Sequence, residues 1–373
     1  MTASISASGR AVVDSRVLWD VTFLFSVIAG VFVVVFRDDL LPRRFFYDGE
    51  HIQQIAQGFN SGLGDQSYVQ VAMVYRLLGM ADHALAASLF GFGLGVLSLL
   101  IFRASNQDKP SWQAVVLTPI AVLTMAVYLG FYSKDVFLVP IAAVAIAASQ
   151  KRRVEFAFMA MILMYALFFR SYWALVALAY LPLRLAVSRR YRAQTVALVM
   201  SGMLVAFSLV IFFVLGLDPD HYRSMVNDAR LTSADAASAI RPLVPGDGLG
   251  VGVANVLVMI PLLTIPVPLL LSGSGYHAAL FLAISVLWVL FYSGTRKKHL
   301  LPIRTAADRS SGEPASRESR AVAVVLAILT VQALFEPDYG SALRHITPFL
   351  IVWVALHWQR SDEGRQTARD GLF

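Results

Sequence analysis

Long apolar runs alternate with short polar stretches along almost the whole of this chain of 373 residues. A helix that crosses a membrane needs about 20 mostly apolar residues, and the longer runs approach that length. They are Leu18–Phe36, Ala84–Phe102, Ala114–Tyr132, Val136–Ser149, Phe156–Phe169, Tyr172–Val187, Thr195–Leu217, Tyr276–Ser293, Ala321–Phe335 and Ile346–Trp358. The pattern predicts an all-α polytopic integral membrane protein with about ten transmembrane helices.

A further apolar run, Val251–Leu271, differs from the others because it contains Pro261, Pro266 and Pro268. Each proline interrupts the hydrogen-bond ladder of a helix. Irregular backbone at membrane depth is tolerated only where protein or a water-filled cavity covers it. We therefore predict one re-entrant or broken segment within a single transmembrane domain, residues 1–373.

The distribution of lysine and arginine predicts the orientation, because cytoplasmic loops carry an excess of both. The stretches Gln150–Glu155, Ser188–Gln194 and Gly294–Arg320 are rich in arginine, lysine or both. Placing them in the cytoplasm puts both termini there as well. Residues 37–83, 218–250 and 336–345 then become the main outer loops. The expected location is the bacterial inner membrane.

Composition supports a membrane protein and excludes several other classes. The chain is 57% hydrophobic and 15% charged, whereas soluble domains carry about 25% charged residues. It has no cysteine, so it forms no disulfide. Its net charge of +7 is explained by the positive-inside bias and by anionic lipid. No nucleic-acid partner is predicted.

The most unusual polar stretch is FEPDYGSALRHITP, Phe335–Pro348, which lies between the last two apolar runs. Two carboxylates, a guanidinium and an imidazole occur within ten residues of one another. Such groups at the edge of hydrocarbon are costly unless they are paired or used. A structural alternative is a capped helix end, with Asp338 or Ser341 as N-cap and Arg344 paired to a carboxylate.

Four other stretches on the predicted outer side carry similar residues, and the first three also have a structural interpretation. They are Phe45–Gln57, Ser133–Asp135, Phe168–Trp173 and Asp218–Arg230. An aspartate N-cap, before an amphipathic helix over Ile52–Phe59 in the first case, explains the first two equally well. In the third, Arg170 could extend to the interface beside belt residues Tyr172 and Trp173.

These residue types suit a membrane enzyme that uses a lipid-linked phosphate donor. Arginine binds phosphate through two oxygens and lysine binds it as a point charge, while a carboxylate or histidine takes a proton from the acceptor hydroxyl. The candidate catalytic residues are Asp48, Glu50, Glu336, Asp338 and His345, and the candidate substrate-binding residues are Arg170, Arg344, Lys134, Arg223, His51 and Tyr172. No metal site or cofactor is predicted, although a divalent cation held by Asp48 and Glu50 remains an open alternative.

Three features together resemble bacterial polysaccharide polymerases of the O-antigen polymerase type. These are the long first outer loop with its acidic pair, FFRSYW, and EPDYGSALRHITP. The resemblance covers the topology of most of the chain, but in sequence it is confined to these motifs. It implies that Arg170 and Arg344 hold undecaprenyl diphosphate, with His345 beside the second arginine. The loop Asp218–Gly250 is shorter than the large outer loop of many polymerases, which leaves the acceptor site open.

The resemblance implies transfer of undecaprenyl-diphosphate-linked glycan repeat units onto an acceptor sugar at the outer membrane face. Its expected partners are the lipid-linked glycan donor and acceptor, membrane lipid, and chain-length regulator and flippase proteins. A more distant resemblance is to the C superfamily of membrane glycosyltransferases, which place acidic residues in the first outer loop, as Asp48 and Glu50 are here, and use polyprenyl-phosphate sugars. A third alternative is a non-catalytic lipid or polysaccharide transporter, whose polar residues are expected at mid-membrane.

The predicted orientation can be tested with single cysteines, because the native chain has none. We expect Ser341→Cys to react with a membrane-impermeant maleimide added outside intact cells. Ser310→Cys should react only after the membrane is permeabilised. The opposite labelling pattern would show that the chain is inserted the other way round, and the predicted outer site would then be lost.

Overall fold

The computed structural model describes residues 14–59, 66–106, 108–147, 152–230, 238–297 and 317–359. In chain order the helices are α1 (Ser15–Val35), α2 (Arg37–Leu40), α3 (Tyr47–Gln57), α4 (Gln66–Leu77), α5 (Ala84–Ala104), α6 (Trp112–Tyr128), α7 (Val139–Ala145), α8 (Arg152–Phe168), α9 (Trp173–Ser188), α10 (Ala193–Leu215), α11 (His221–Arg230), α12 (Leu249–Thr264), α13 (Val267–Leu271), α14 (Gly275–Lys297), α15 (Arg317–Phe335), α16 (Tyr339–Ile346) and α17 (Leu350–Leu356). Within the described residues, the extended structure amounts to one antiparallel pair of two-residue strands, β1 (Lys109–Pro110) and β2 (Trp358–Gln359), and one isolated bridge. The prediction of a helical protein is confirmed.

Six stretches of the described chain are helical, long and apolar enough to cross a membrane. They are Ser15–Val35, Ala84–Ala104, Ala193–Leu215, Gly275–Arg296, Glu318–Phe335 and Tyr339–Leu356. Helices α1 and α10 also expose large apolar side chains such as Phe25, Leu198 and Phe213. Faces of this kind suit lipid rather than water. The chain is therefore a multi-pass membrane protein by the length and composition of its helices.

The run Val136–Ser149 is the prediction that departs furthest from the structure. A 3₁₀ helix covers Lys134–Leu138, and α7 adds only seven residues. Ser133 caps this segment by accepting a hydrogen bond from the backbone N of Asp135 at 3.2 Å. The aspartate N-cap considered for this turn is therefore wrong, because Ser133, two residues before Asp135, performs that role.

Helical structure at the last apolar run begins earlier than the run itself, Ile346–Trp358, predicts. Asp338 accepts a hydrogen bond from the backbone N of Ser341 at 2.8 Å and starts α16 at Tyr339. A 3₁₀ helix over Thr347–Phe349 then joins α16 to α17. The predicted outer loop 336–345 is therefore mostly helical, and the capping interpretation of Asp338 is confirmed.

The proline-rich run is broken, as its sequence predicts. Helix α12 accommodates Pro261 and ends at Thr264, and α13 begins at Val267. Ile265 and Pro266 lie between the two helices with non-helical backbone angles. The predicted cytoplasmic loop Gly294–Arg320 and the tail beyond Trp358 lie largely outside the described residues.

The chain divides into two compact units, and the first comprises Met1–Ala143 and Leu350–Phe373. Helix α1 packs on α6 and α5, and α17 packs on α5 and α6. Trp358 joins these helices, since its ring lies 5.2 Å from that of Trp19 and 5.3 Å from that of Phe102. Its indole Nε1 donates to the carbonyl of Asp108 at 2.7 Å.

The second unit, Val144–Phe349, is built around α15. Every residue from Arg320 to Leu334 is buried, and α15 packs on α9, α10 and α12. Such a helix, apolar on all sides, belongs in the core of a bundle. Whether the two units form the single transmembrane domain predicted from the sequence stays a prediction.

A charged network holds the beginning of α15. Glu155 on α8 accepts hydrogen bonds from the hydroxyl of Tyr180, from Arg184 Nε at 3.1 Å and from Arg320 Nε at 2.8 Å. Arg184 also donates to the hydroxyl of Ser319 at 2.7 Å. The carboxylate therefore links α8, α9 and α15 at one end.

Two glycines of α5 give a matched test of helix packing in the first unit. A Cβ added to Gly91 would lie 2.1 Å from the carbonyl oxygen of Leu129, whereas one added to Gly93 meets nothing within 4 Å. We expect Gly91→Ala to destabilise the protein by about 1–3 kcal/mol, because backbone cannot give way as a side chain does. Gly93→Ala should be neutral or stabilise by up to about 1 kcal/mol, since alanine favours helix.

The measurement is the midpoint of thermal unfolding in detergent, followed by tryptophan fluorescence. Equal midpoints for the two variants would show that α5 and the end of α6 do not approach each other as described.

Candidate functional site

The polar stretch after α15 folds into a site because α15 and α16 bring its ends together. The backbone N of Glu336 donates to the carbonyl of Gln332 at 2.8 Å, which continues the helical ladder of α15 by one residue. The Asp338 cap then starts α16, which carries His345 back towards Glu336. Arg170 reaches the same place from the turn between α8 and α9. All of these residues belong to the second unit.

His345 contacts a carboxylate through one ring nitrogen and a guanidinium through the other. Its Nδ1 lies 2.8 Å from Glu336 Oε2, and its Nε2 contacts Nη1 of Arg170. Arg170 Nη1 also donates to the hydroxyl of Tyr172 at 2.7 Å. These partners assign the proton of a neutral imidazole to Nδ1, which leaves Nε2 as an acceptor.

Glu336 is the most buried member of this group, with only 3% of its side chain exposed. A carboxylate there needs a partner, because burying an isolated charge is costly. His345 supplies that partner and is itself oriented by it. A carboxylate that orients a histidine is the arrangement from which general bases are built.

Two other predicted site residues have structural contacts. Arg223 is 1% exposed, donates to the carbonyl of Ala333 at 3.2 Å and lies 3.5 Å from Asp220 Oδ2. Burial lowers the pKa of Arg223 from its usual value, against the opposing effect of Asp220. Arg223 thus holds α11 against the end of α15. Asp338, the other of the two residues, caps α16.

Arg344 lies next to His345 on α16. In the alternative interpretation of a capped helix end, Arg344 pairs with a carboxylate. The ion pair that Glu336 forms is with His345. A substrate-binding role for Arg344 stays a prediction.

The first unit contains a second cluster, around Tyr68 of α4. The Tyr68 hydroxyl donates a hydrogen bond to Asp48 Oδ1 at 3.0 Å. The ring of His51 packs edge-on against the ring of Tyr68, with the two ring centres 5.0 Å apart. Lys134 Nζ lies 3.2 Å from the centre of the Tyr68 ring and 2.8 Å from the hydroxyl of Ser67. The structure therefore brings Asp48, His51 and Lys134 together on a tyrosine that the sequence reasoning did not single out.

Helix α3 corrects the prediction made for the first outer loop. It begins at Tyr47, without a side-chain cap, rather than at Ile52. Asp48 and Glu50 therefore lie in its first turn, where carboxylates interact favourably with the helix dipole. Glu50 pairs with Arg43 at 3.3 Å, and this hydrogen bond raises the pKa of Arg43.

Among the described residues, no group of three or more histidine, aspartate or glutamate side chains is placed to hold a metal ion. The divalent-cation alternative for Asp48 and Glu50 thus has no third ligand of these types within that part of the chain.

Comparisons with models of protein families, with curated proteins and with solved structures find no match. The class that the fold defines is a multi-pass helical membrane protein. The resemblance to polysaccharide polymerases stays a sequence-based expectation.

Two carboxylates allow the Glu336–His345 contact to be tested. We expect Glu336→Ala to lower stability by about 1–3 kcal/mol, because it leaves the partly buried His345 without its carboxylate partner. Glu50→Ala is the control, since Glu50 and Arg43 form an exposed pair of the kind that contributes little. Thermal unfolding of both variants in detergent measures the difference, and equal unfolding midpoints would contradict the described burial of Glu336.

Proposed function

We propose that this protein is a polymerase that transfers undecaprenyl-diphosphate-linked glycan repeat units onto an acceptor sugar at the outer face of the bacterial inner membrane. The observation that carries the proposal is the contact of His345 with both Glu336 and Arg170. One site thereby holds an oriented proton acceptor beside a cation suited to phosphate.

The proposed topology has about ten crossings, with α12 and α13 forming a re-entrant segment and both termini in the cytoplasm. The basic loops support this orientation. The break at Ile265 and Pro266 supports the re-entrant segment. In this arrangement Glu336 and His345 lie at the outer face, where lipid-linked glycans would be polymerised.

In the proposed reaction, Glu336 holds the Nδ1 proton of His345, so Nε2 is the nitrogen that accepts a proton. Arg170 binds oxygens of the donor diphosphate, which a guanidinium can engage in pairs. Because this anion competes with His345 for the guanidinium, its binding releases Nε2 towards the acceptor. Arg344, one residue before His345, is the proposed second cation on the diphosphate.

The bond changes follow from these positions. The acceptor hydroxyl oxygen bonds to the anomeric carbon of the donor sugar as its proton passes to His345 Nε2. The bond between that carbon and the diphosphate oxygen breaks, and undecaprenyl diphosphate leaves with the electron pair. No nucleotide sugar is needed. Chain-length regulator and flippase proteins are the proposed partners.

The cluster around Tyr68 favours a second candidate function, a C-superfamily glycosyltransferase that moves one sugar from a polyprenyl phosphate. Asp48 would act as the base, and Lys134 would attract the single phosphate. The hydrogen bond between Tyr68 and Asp48, with Lys134 over the same ring, is the observation behind this alternative.

The proposal is tested with the full-length chain in lipid nanodiscs, supplied with lipid-linked repeat units extracted from the cells that produce it. We expect a ladder of glycans on gels. His345→Gln should slow elongation by about 10²–10⁴-fold, as expected for loss of a positioned base. Arg170→Lys and Arg344→Lys should fail nearly as badly as the alanine variants, because lysine lacks the planar pair of N–H groups that binds two phosphate oxygens in parallel.

The control is Arg43→Lys, an exposed arginine outside the site, which should leave the ladder unchanged. Long polymer from both lysine variants would reject the diphosphate role. When a polyprenyl-phosphate sugar is supplied as the donor instead, addition of a single sugar that is lost in Asp48→Asn would favour the glycosyltransferase. Absence of any product from the wild-type chain would favour a transporter.

A further inference from the structure

We propose that a row of three aromatic rings, Tyr222, Phe335 and Tyr172, binds the acceptor glycan and leads it to His345. This inference rests on the proposed function for the identity of the ligand as a glycan. The three residues are called the aromatic row below. They come from α11, from the end of α15 and from the turn before α9, so folding rather than local sequence brings them together.

The aromatic row is continuous. The rings of Tyr172 and Phe335 are stacked, with centroids 5.6 Å apart and planes inclined by 25°. The ring of Tyr222 lies 5.7 Å from that of Phe335 at an inclination of 51°. All three residues are half-buried, so the row remains partly accessible.

One end of the aromatic row meets the candidate catalytic group. The Tyr172 hydroxyl accepts a hydrogen bond from Arg170, which contacts His345. Phe335 directly precedes Glu336, the carboxylate that orients His345. A ligand lying on the rings would therefore lie beside the residues that contact the imidazole.

Rings packed in the interior of this unit look different. Phe158 and Tyr180 lie 5.1 Å apart, and both are completely buried. The half-buried rings of the aromatic row instead combine apolar faces with two hydroxyl groups. Such surfaces suit ligands that are themselves part apolar and part polar. A sugar fits because its C–H face can lie on a ring while its hydroxyls remain hydrogen-bonded.

Buried polar atoms on residues within four positions of Phe335 in the sequence give a further indication of the ligand's chemistry. Glu336 Oε1, Gln332 Oε1 and the Tyr339 hydroxyl are buried and have no hydrogen-bond partner among the described residues. Leaving such atoms without partners costs about 1–3 kcal/mol each. Two of the three are acceptors only, and the third both donates and accepts. A glycan offers many hydroxyls that can satisfy both needs, whereas a hydrocarbon chain offers none.

The test measures glycan binding directly, separately from elongation. The probe is the oligosaccharide released by mild acid from the lipid-linked pool of the producing cells, which carries no lipid and no diphosphate. Binding to the full-length protein in nanodiscs is followed by calorimetry and by saturation-transfer NMR. We expect Tyr222→Leu to weaken binding by up to about tenfold, the effect of losing one aromatic contact. Tyr222→Phe should retain most of the affinity.

The matched control is Tyr276→Leu, because Tyr276 is an exposed tyrosine on α14 outside the aromatic row. If the tyrosines only anchor the chain at the membrane interface, the Tyr222 and Tyr276 variants should behave alike. The proposal is overturned if the wild-type chain does not bind the probe, or if Tyr222→Leu binds as the wild type does. It is also overturned if Tyr276→Leu weakens binding equally.

Elongation assays separate this inference from the proposed function. If glycan binding depends on the rings but the wild-type chain does not elongate, the glycan-binding role of the aromatic row is supported and the polymerase function is rejected. Elongation by Tyr222→Leu with an unchanged KM for the acceptor would keep the polymerase and reject the aromatic row.

Discussion

A charged group can be buried in an apolar helical bundle only if another group pairs with it, and the second unit depends on that constraint. Its central helix, α15, has no charged residue between Arg320 and its end at Phe335, and its described charged contacts lie near its two ends. At the beginning of α15, Arg320 donates a hydrogen bond to Glu155, and near its end Arg223 donates one to the carbonyl of Ala333. Glu336 follows directly and pairs with His345. The candidate site is one of these end contacts, so the packing that supports the fold also orients the imidazole.

Much of the fold could be predicted because a membrane-spanning helix needs a continuous apolar run, which is visible in the local sequence. Runs of apolar residues gave the long helices to within a few residues, as α1, α5 and α10 illustrate. Proline chemistry gave the break before Pro266. The stretch around Glu336 was recognised because charge is rare beside apolar runs. Asp338 was one of two candidate caps, with Ser341, because both residue types favour that position.

Contacts between distant residues could not be predicted in this way. Arg344 and His345 are adjacent in sequence, and it is His345 that contacts Glu336 once α16 has formed. Tyr68 was missed because a lone tyrosine in a polar loop carries no signal. Arg184 did carry a sequence signal, since an arginine inside an apolar run needs a partner. Glu155, its partner, comes from a different helix, so no local pattern reveals the pair.

The aromatic row has a consequence for how a long product would be handled. Stacking on a ring face has little preference for position along the ligand, unlike a set of fixed hydrogen bonds. A polymer held by Tyr222, Phe335 and Tyr172 could therefore slide by one repeat without first dissociating. Because Tyr172 also binds Arg170, each advance would pass beside the cation proposed to hold the next donor. Such an arrangement favours processive synthesis, in which one chain is extended many times before release.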